Sequence, residues 1–382
     1  MALFRARMLM RASLSTAAAV LALGGALSPA AYADVPPTPT ATAGLGGEAV
    51  YDLAVLPSGR VVLGGNFTSA GAYPRTNLAA ILANGDADPD FAPTIDGPVQ
   101  AVVASQDGSV VFIGGTFTEV NGQPRQNLAA LDAVTGALLE GWQADTTGAL
   151  PAVQSLAVSG NTFFVGGRFD GIGGADKAKL AKVDATTGAV IKWNTWVNGA
   201  VNEVRVNPKG NTVWIGGEFT KIRGIARPYF GAIDPATGNV RKFNGLGNSS
   251  RIITLALSPN GKWVYTANNS NLISAYKTGE SSSPRWSRHT DGNTQAIVGS
   301  GSTVYVGGHF TEFNDDGTAA QVFVGALDAY TGVLKDWNPV ATGSNKGVWT
   351  LAIDATHLYA GGGFLRFDGV QQRLFARFDG TP

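Results

Sequence analysis

The stretch VVFIGGTFTEVNGQPRQNLAALDAVTGALLEGW, residues 110–142, decides how this chain folds. It opens on an apolar run rich in β-branched and aromatic residues, Val110 to Ile113, which ends in Gly114-Gly115 and then Phe117. A loop from Thr118 to Gln126 follows, then a run from Asn127 to Asp132, a Thr135-Gly136 turn, and a segment closing on Trp142. Just upstream, Val99 to Ala104 and an Asp107-Gly108 turn supply one more strand. Short runs of this composition, bounded by glycine turns and lacking a helical period, predict an antiparallel unit of four strands.

The unit recurs along the chain. Gly64-Gly65, Gly114-Gly115, Gly166-Gly167, Gly216-Gly217, Gly307-Gly308 and Gly361-Gly362 each end an apolar run, and Ala267-Asn268 fills the one gap. Successive members lie 50, 52, 50, 51, 40 and 54 residues apart, the period of a propeller blade and too long for most helical solenoids. A large ring marks the fourth strand of the first six units, at Phe91, Trp142, Trp193, Phe243, Trp286 and Trp337. A ring at one fixed place per unit reads as a wedge between neighbouring units, and paired glycines inside a strand read as places where another group approaches closely. The fold expected is all-β, a seven-bladed β-propeller of four-stranded antiparallel blades.

The last unit stops after its third strand, Arg373 to Phe378, so one strand is missing. Residues 34–48 are expected to supply it, beginning with Asp34-Val35-Pro36-Pro37, and so to close the ring. Closure removes strand edges that would otherwise template aggregation.

Residues 1–33 read as a signal peptide. Arg5, Arg7 and Arg11 precede an apolar stretch, Ala12 to Leu27, and Ala31-Tyr32-Ala33 has the form of a cleavage site. The protein is therefore expected to be secreted after cleavage behind Ala33, with residues 34–382 forming a single propeller domain. That portion carries 25 basic against 28 acidic residues, with no clustered basic surface for nucleic acid or anionic membranes. No stretch is long and apolar enough to span a bilayer, so membrane insertion is not expected. The absence of cysteine excludes disulfides, thiolate metal sites, a Cys nucleophile and a lipidated cysteine.

The runs GGNFTSAGAYPRTNLAAI (64–81), GGTFTEVNGQPRQNLAALD (114–132) and GGEFTKIRGIARPYFGAID (216–234) resemble the delta-60 repeat propeller family. LANGDADPDFAP (82–93) is similar to that family's N-x-D-G-x-x-D-x-x-F element, keeping Asn84 and Gly85. The resemblance covers most of residues 49–380 and implies a propeller. It implies little about activity, because the family is defined by repetition in exported bacterial proteins, with similar repeats in a fungal cell-cortex marker protein. LDAVTGALLEGW, VDATTGAVIKW and LDAYTGVLKDW are also similar to the tryptophan-docking motif of quinoprotein dehydrogenases. There the motif is structural. Many members use a vicinal cysteine pair and a calcium site on eight blades, against seven units and no cysteine here, so no quinone or other cofactor is expected.

Tight turns such as Asn207-Pro208-Lys209-Gly210 belong to one end of the units and the longer loops to the other, where binding residues are expected. Aligned first strands put Tyr51, Gln100, Gln154, Asn202, Ile253, Gln295 and Trp349 at one level near that mouth. Asp52, Ser155, Glu203, Thr254 and Thr350 form the next. Simple alternation allows only one level to face the axis at a given point. The expected ligand-binding set is Tyr51, Asp52, Gln100, Gln154, Asn202, Glu203, Gln295 and Trp349, whose amides, carboxylates and rings suit sugars or peptides. The competing account is that these groups satisfy one another and ordered water.

The residue between Gly-Gly and Phe varies, and Arg168, Glu218 and His309 among these form, with Glu203, the one plausible acid–base set. A rim network of ion pairs is the plainer account of it. The short loop Asn268 to Asn271 in the fifth unit predicts a notch in the mouth. Asp86-Ala87-Asp88-Pro89-Asp90 has calcium-loop spacing but lacks the required glycine and closing glutamate, so it reads as a turn. Asp315-Asp316-Gly317 reads as a loop tip, and His289, His309 and His357 fall at unlike places, so no metal site is expected. The leading expectation is a monomeric, non-catalytic binding module for carbohydrate or an extracellular or cell-surface protein. A secreted hydrolase or lyase and a structural cell-envelope protein are the alternatives.

Overall fold

The computed structural model describes residues 35–243, 250–280, 283–314, 321–343 and 347–382. The leader at 1–33, Asp34 and the loop tip at 315–317 lie outside them. Regular structure among the described residues is strand throughout, and no helix there is long and apolar enough to cross a membrane.

The quoted stretch folds as its composition requires. Val99–Ala104 pairs antiparallel with Val110–Gly115, which pairs in turn with Leu128–Asp132. The same order recurs in seven separate sheets among the described residues, ending with Val348–Ile353, His357–Gly362 and Phe375–Asp379.

The fourth strand departs from expectation. After the third strand Asp132 Oδ1 accepts the amides of Val134 and Thr135 and the Thr135 hydroxyl, which reverses the chain. The returning segment then touches the sheet at a single bridge, Leu131 to Leu138, repeated at Val183–Val190, Ile233–Val240 and Leu327–Leu334. Among the described residues only the fifth sheet pairs a fourth strand at length, Leu272–Lys277 with Trp286–His289. Whether or not the segment stays in the ladder, its tryptophan enters the next sheet. Trp142 lies 5.5 Å from Phe112 of its own sheet and 6.0 Å from Phe163 of the next. Its Nε1 donates to Ala185 O at 3.1 Å, as Trp193 Nε1 does to Asp234 O and Trp286 Nε1 to Ala329 O. Loop cations stand in for the lost ladder: buried Arg75 donates to Asp88 O, Pro89 O and Phe91 O, and Arg125 to Glu140 O.

First strands pack in sequence order, each against the next, and Val348–Ile353 packs against Leu45–Val55. The first glycine of each pair makes this close approach. A Cβ on Gly114 would stand 2.3 Å from Val153 Cγ1 of the next sheet, one on Gly64 2.6 Å from Val99 Cγ1, and one on Gly361 2.6 Å from Val50 Cγ1.

The N-terminal boundary is corrected. Leu45–Val55 is one strand, and Leu45, Gly46 and Gly47 pair with Ala70, Ser69 and Phe67, so residues 45–48 belong to the first sheet. Glycine at 46 and 47 permits it, since a Cβ on Gly47 would meet Phe67 Cα at 2.4 Å. Beside the last sheet runs a shorter segment: Thr40 N donates to Arg377 O at 2.8 Å and Leu45 N to Arg373 O at 3.0 Å. Val35 is buried in the cluster that holds Trp337 and Phe378.

Candidate functional site

All seven first strands carry a register shift at the same place. Val50 pairs with Gly65 and Asp52 with Gly64, leaving Tyr51 extra; the same slip isolates Gln100, Gln154, Asn202, Ile253, Gln295 and Trp349. Such a bulge breaks alternation, because two residues on one strand oppose one on its partner. The expectation that only one level could face the axis at a given point is therefore overturned. Tyr51 and Asp52, Gln154 and Ser155, Asn202 and Glu203, Ile253 and Thr254, and Trp349 and Thr350 line one cavity of about 560 Å³, with Gln100 and Gln295.

In six of the seven sheets a glycine faces the bulge closely, while Asn268 holds the equivalent place in the fifth, where Ile252 pairs with Asn268 and Thr254 with Ala267. A Cβ on Gly115 would lie 2.1 Å from Pro98 O, and the corresponding distances at Gly65, Gly167, Gly217, Gly308 and Gly362 are 2.2, 2.1, 2.2, 2.1 and 2.3 Å. At these six glycines an added side chain would have to displace the bulged strand. The paired glycines thus do two jobs, sheet-to-sheet packing and shaping the cavity floor.

The lower bulge residues bind one another across sheets. Thr350 Oγ1 donates to Asp52 Oδ1 at 3.2 Å, and Asp52 Oδ2 accepts the Val102 amide of the next sheet at 2.8 Å. Across the cavity, Ser155 Oγ donates to Glu203 Oε1 at 2.6 Å and accepts the Val204 amide, while Thr254 Oγ1 donates to Glu203 Oε2 at 3.3 Å. Ala101 and Ala296 at the equivalent places separate these two arcs. Burial raises the Asp52 carboxyl to about 6, with the Val102 amide and Arg205 opposing that shift. Glu203 pairs with Arg205 at 2.5 Å.

The upper residues differ. Asn202 Nδ2 donates to Ile252 O at 2.8 Å, but its Oδ1, Gln154 Oε1 and Trp349 Nε1 are buried atoms without a hydrogen-bond partner in the protein. Buried polar atoms normally find one, so these three point to a ligand or ordered water. Trp349 also meets Tyr51 edge-on at 5.7 Å and His309 at 5.1 Å.

The proposed acid–base set divides. Glu218 Oε1 accepts Arg168 Nη2 at 2.9 Å and Arg251 Nη1 at 3.1 Å, a rim network; Glu203 sits in the belt; His309 lies against Trp349. Arg205, Arg251, Asn269 and Asn293 also line the cavity and were not among the expected residues. Arg251 and Asn293 had a legible signal, since they stand two residues before the bulged one, where other repeats carry Ala49, Pro98, Ala152, Ala200 and Gly347. The fifth loop is short, as expected: Asn268 Oδ1 accepts the Ser270 and Leu272 amides, and Arg251 Nη2 reaches Asn269 Oδ1 at 3.2 Å. At 86–90 a turn forms, with Asp88 Oδ1 accepting the Asp90 amide and Oδ2 paired to Arg60.

Residues 56–91 match a family model described as a domain of unknown function (DUF5122) beta-propeller, in keeping with the antiparallel sheets. No curated protein matches the chain.

Proposed function

We propose that this chain is an exported seven-bladed β-propeller, closed by its own N-terminal segment, that works as a binding module with its ligand at the channel mouth and carries out no chemistry itself. Closure is supported by the contacts between the first and last sheets: Gly361 against Val50, Thr350 with Asp52, Tyr51 with Trp349, and Thr40 beside Arg377. The observation that carries the binding reading is the repeated bulge, which brings the bulged residue of every repeat to one cavity while the repeated glycines and rings pack. Binding rather than catalysis is favoured because Glu203 and Glu218 are each engaged by arginine or hydroxyl groups. A carbohydrate fits the amides and rings better than an apolar ligand does; an extracellular or cell-surface protein is the other partner the mouth suits.

The test incubates the secreted protein with cell-wall and polysaccharide fractions and measures both retention and soluble product. Retention without product, reduced by Trp349→Ala, is the expected result. One observation favours hydrolysis: two carboxyl groups, Asp52 and Glu203, line the same cavity, and burial raises Asp52 to about 6. Product formation abolished by Glu203→Gln would decide for that reading.

A further inference from the structure

The cavity is not uniform around its rim, and the unevenness bears on which sugar enters it. Deep in repeats three and four, Gln154 Oε1 and Asn202 Oδ1 are buried acceptors without a protein donor. An acceptor in that position calls for a hydroxyl or amine hydrogen from the ligand. Above them on the same side, two guanidiniums converge on one oxygen of Glu218, with the Arg168 and Arg251 side chains 52% and 49% exposed. One carboxylate cannot neutralise both, so this trio keeps a surplus positive charge and several free N–H groups facing the mouth. The remaining acids do not offset it there: Glu203 is paired with Arg205 and hydrogen-bonded to Ser155 and Thr254, and Asp52 accepts hydrogen bonds within the belt.

Hydroxyl hydrogens deep in the cavity and a negative group at its edge, both on the side of repeats three to five, describe one kind of molecule. We infer that the cavity takes the acidic end of a polysaccharide, a uronic acid whose carboxylate lies between Arg168 and Arg251 and whose hydroxyls donate to Gln154 and Asn202. Arginine suits this task because its planar fork matches a carboxylate. The inference rests on the carbohydrate-binding reading above and adds the charge of the sugar to it.

Calorimetric titration of the full-length secreted protein with trigalacturonic acid, a glucuronate-terminated trisaccharide and galactotriose tests it. At least one acidic sugar should bind at least tenfold more tightly than the neutral one, and 0.5 M salt should erase most of that difference. Arg251→Gln should weaken the acidic sugar at least tenfold and leave the neutral one within about twofold. Glu218→Gln, which removes the competing carboxylate, should tighten the acidic sugar several-fold, an effect that loss of a merely structural ion pair would not produce. Equal binding of acidic and neutral sugars, unchanged in both variants, overturns this inference and leaves carbohydrate binding standing. Failure of all three sugars to bind the folded protein overturns both.

Discussion

Replacing Gly114 with alanine tests whether the first glycine of each pair acts through the neighbouring sheet. The new Cβ would lie 2.3 Å from Val153 Cγ1 and 2.9 Å from Val153 Cβ, so the two sheets must part or Val153 must leave its rotamer. Overpacking of this kind costs about 1–3 kcal/mol, and removing a glycine from a strand returns about 0.5–1, which leaves a net loss of about 1–2 kcal/mol. Val153→Ala alone removes two buried methyl groups and should cost about 2–3 kcal/mol. In the double variant the clashing Cγ1 is gone and the added methyl fills part of the space, although the Cβ at position 153 remains 2.9 Å away and must give a little. It should therefore lose only part of what Gly114→Ala costs in the parent, giving a favourable coupling of about 1 kcal/mol. Urea unfolding followed by tryptophan fluorescence measures all four proteins, compared by midpoint provided the slope is unchanged. Losses that add to within about 0.5 kcal/mol would refute the packing argument.

Gly115→Ala should behave differently. Its Cβ would meet Pro98 O at 2.1 Å, a backbone atom that no side-chain truncation relieves, so no second-site alanine in Val153 should rescue it. Asp52 has a folded value of about 6 against an ordinary 3.8, so the folded protein holds a proton that the unfolded chain releases between those values. Its contribution is fully present below about 4 and falls by about 3 kcal/mol as pH rises to 6. Subtracting Asp52→Asn stabilities from those of the parent across pH 4–7 should recover that downward slope, and a flat difference would contradict it. Thr40→Pro removes the amide that donates to Arg377 O and should lower the urea midpoint if the N-terminal segment fastens the last sheet; an unchanged midpoint would count against closure.

Local chemistry was enough to announce the repeat. The strands of residues 99–132 fall where β-branched runs and glycine turns put them, and Trp142 wedges between sheets because a buried ring at a fixed spacing has little else to do. The bulged residues lining the cavity, from Tyr51 to Trp349, were legible from the aligned first strands, whereas Arg205 and Asn269 were not. The bulge was not, because a register slip belongs to a pair of strands and leaves no mark in either one alone. Nor was the left-handed residue before each third strand, occupied by Asn77 and Asn127 but also by Tyr229, Phe323 and Leu374. Those side chains disfavour positive φ. They adopt it because the carbonyl of each accepts from the second strand and the amide donates just beyond its end, as when Leu374 accepts from Gly362 N and donates to Phe364 O. Sequence thus determined the repeating unit through composition and spacing. Only tertiary structure decided which consecutive residues would face the cavity together, because that depends on the register in which two backbones meet.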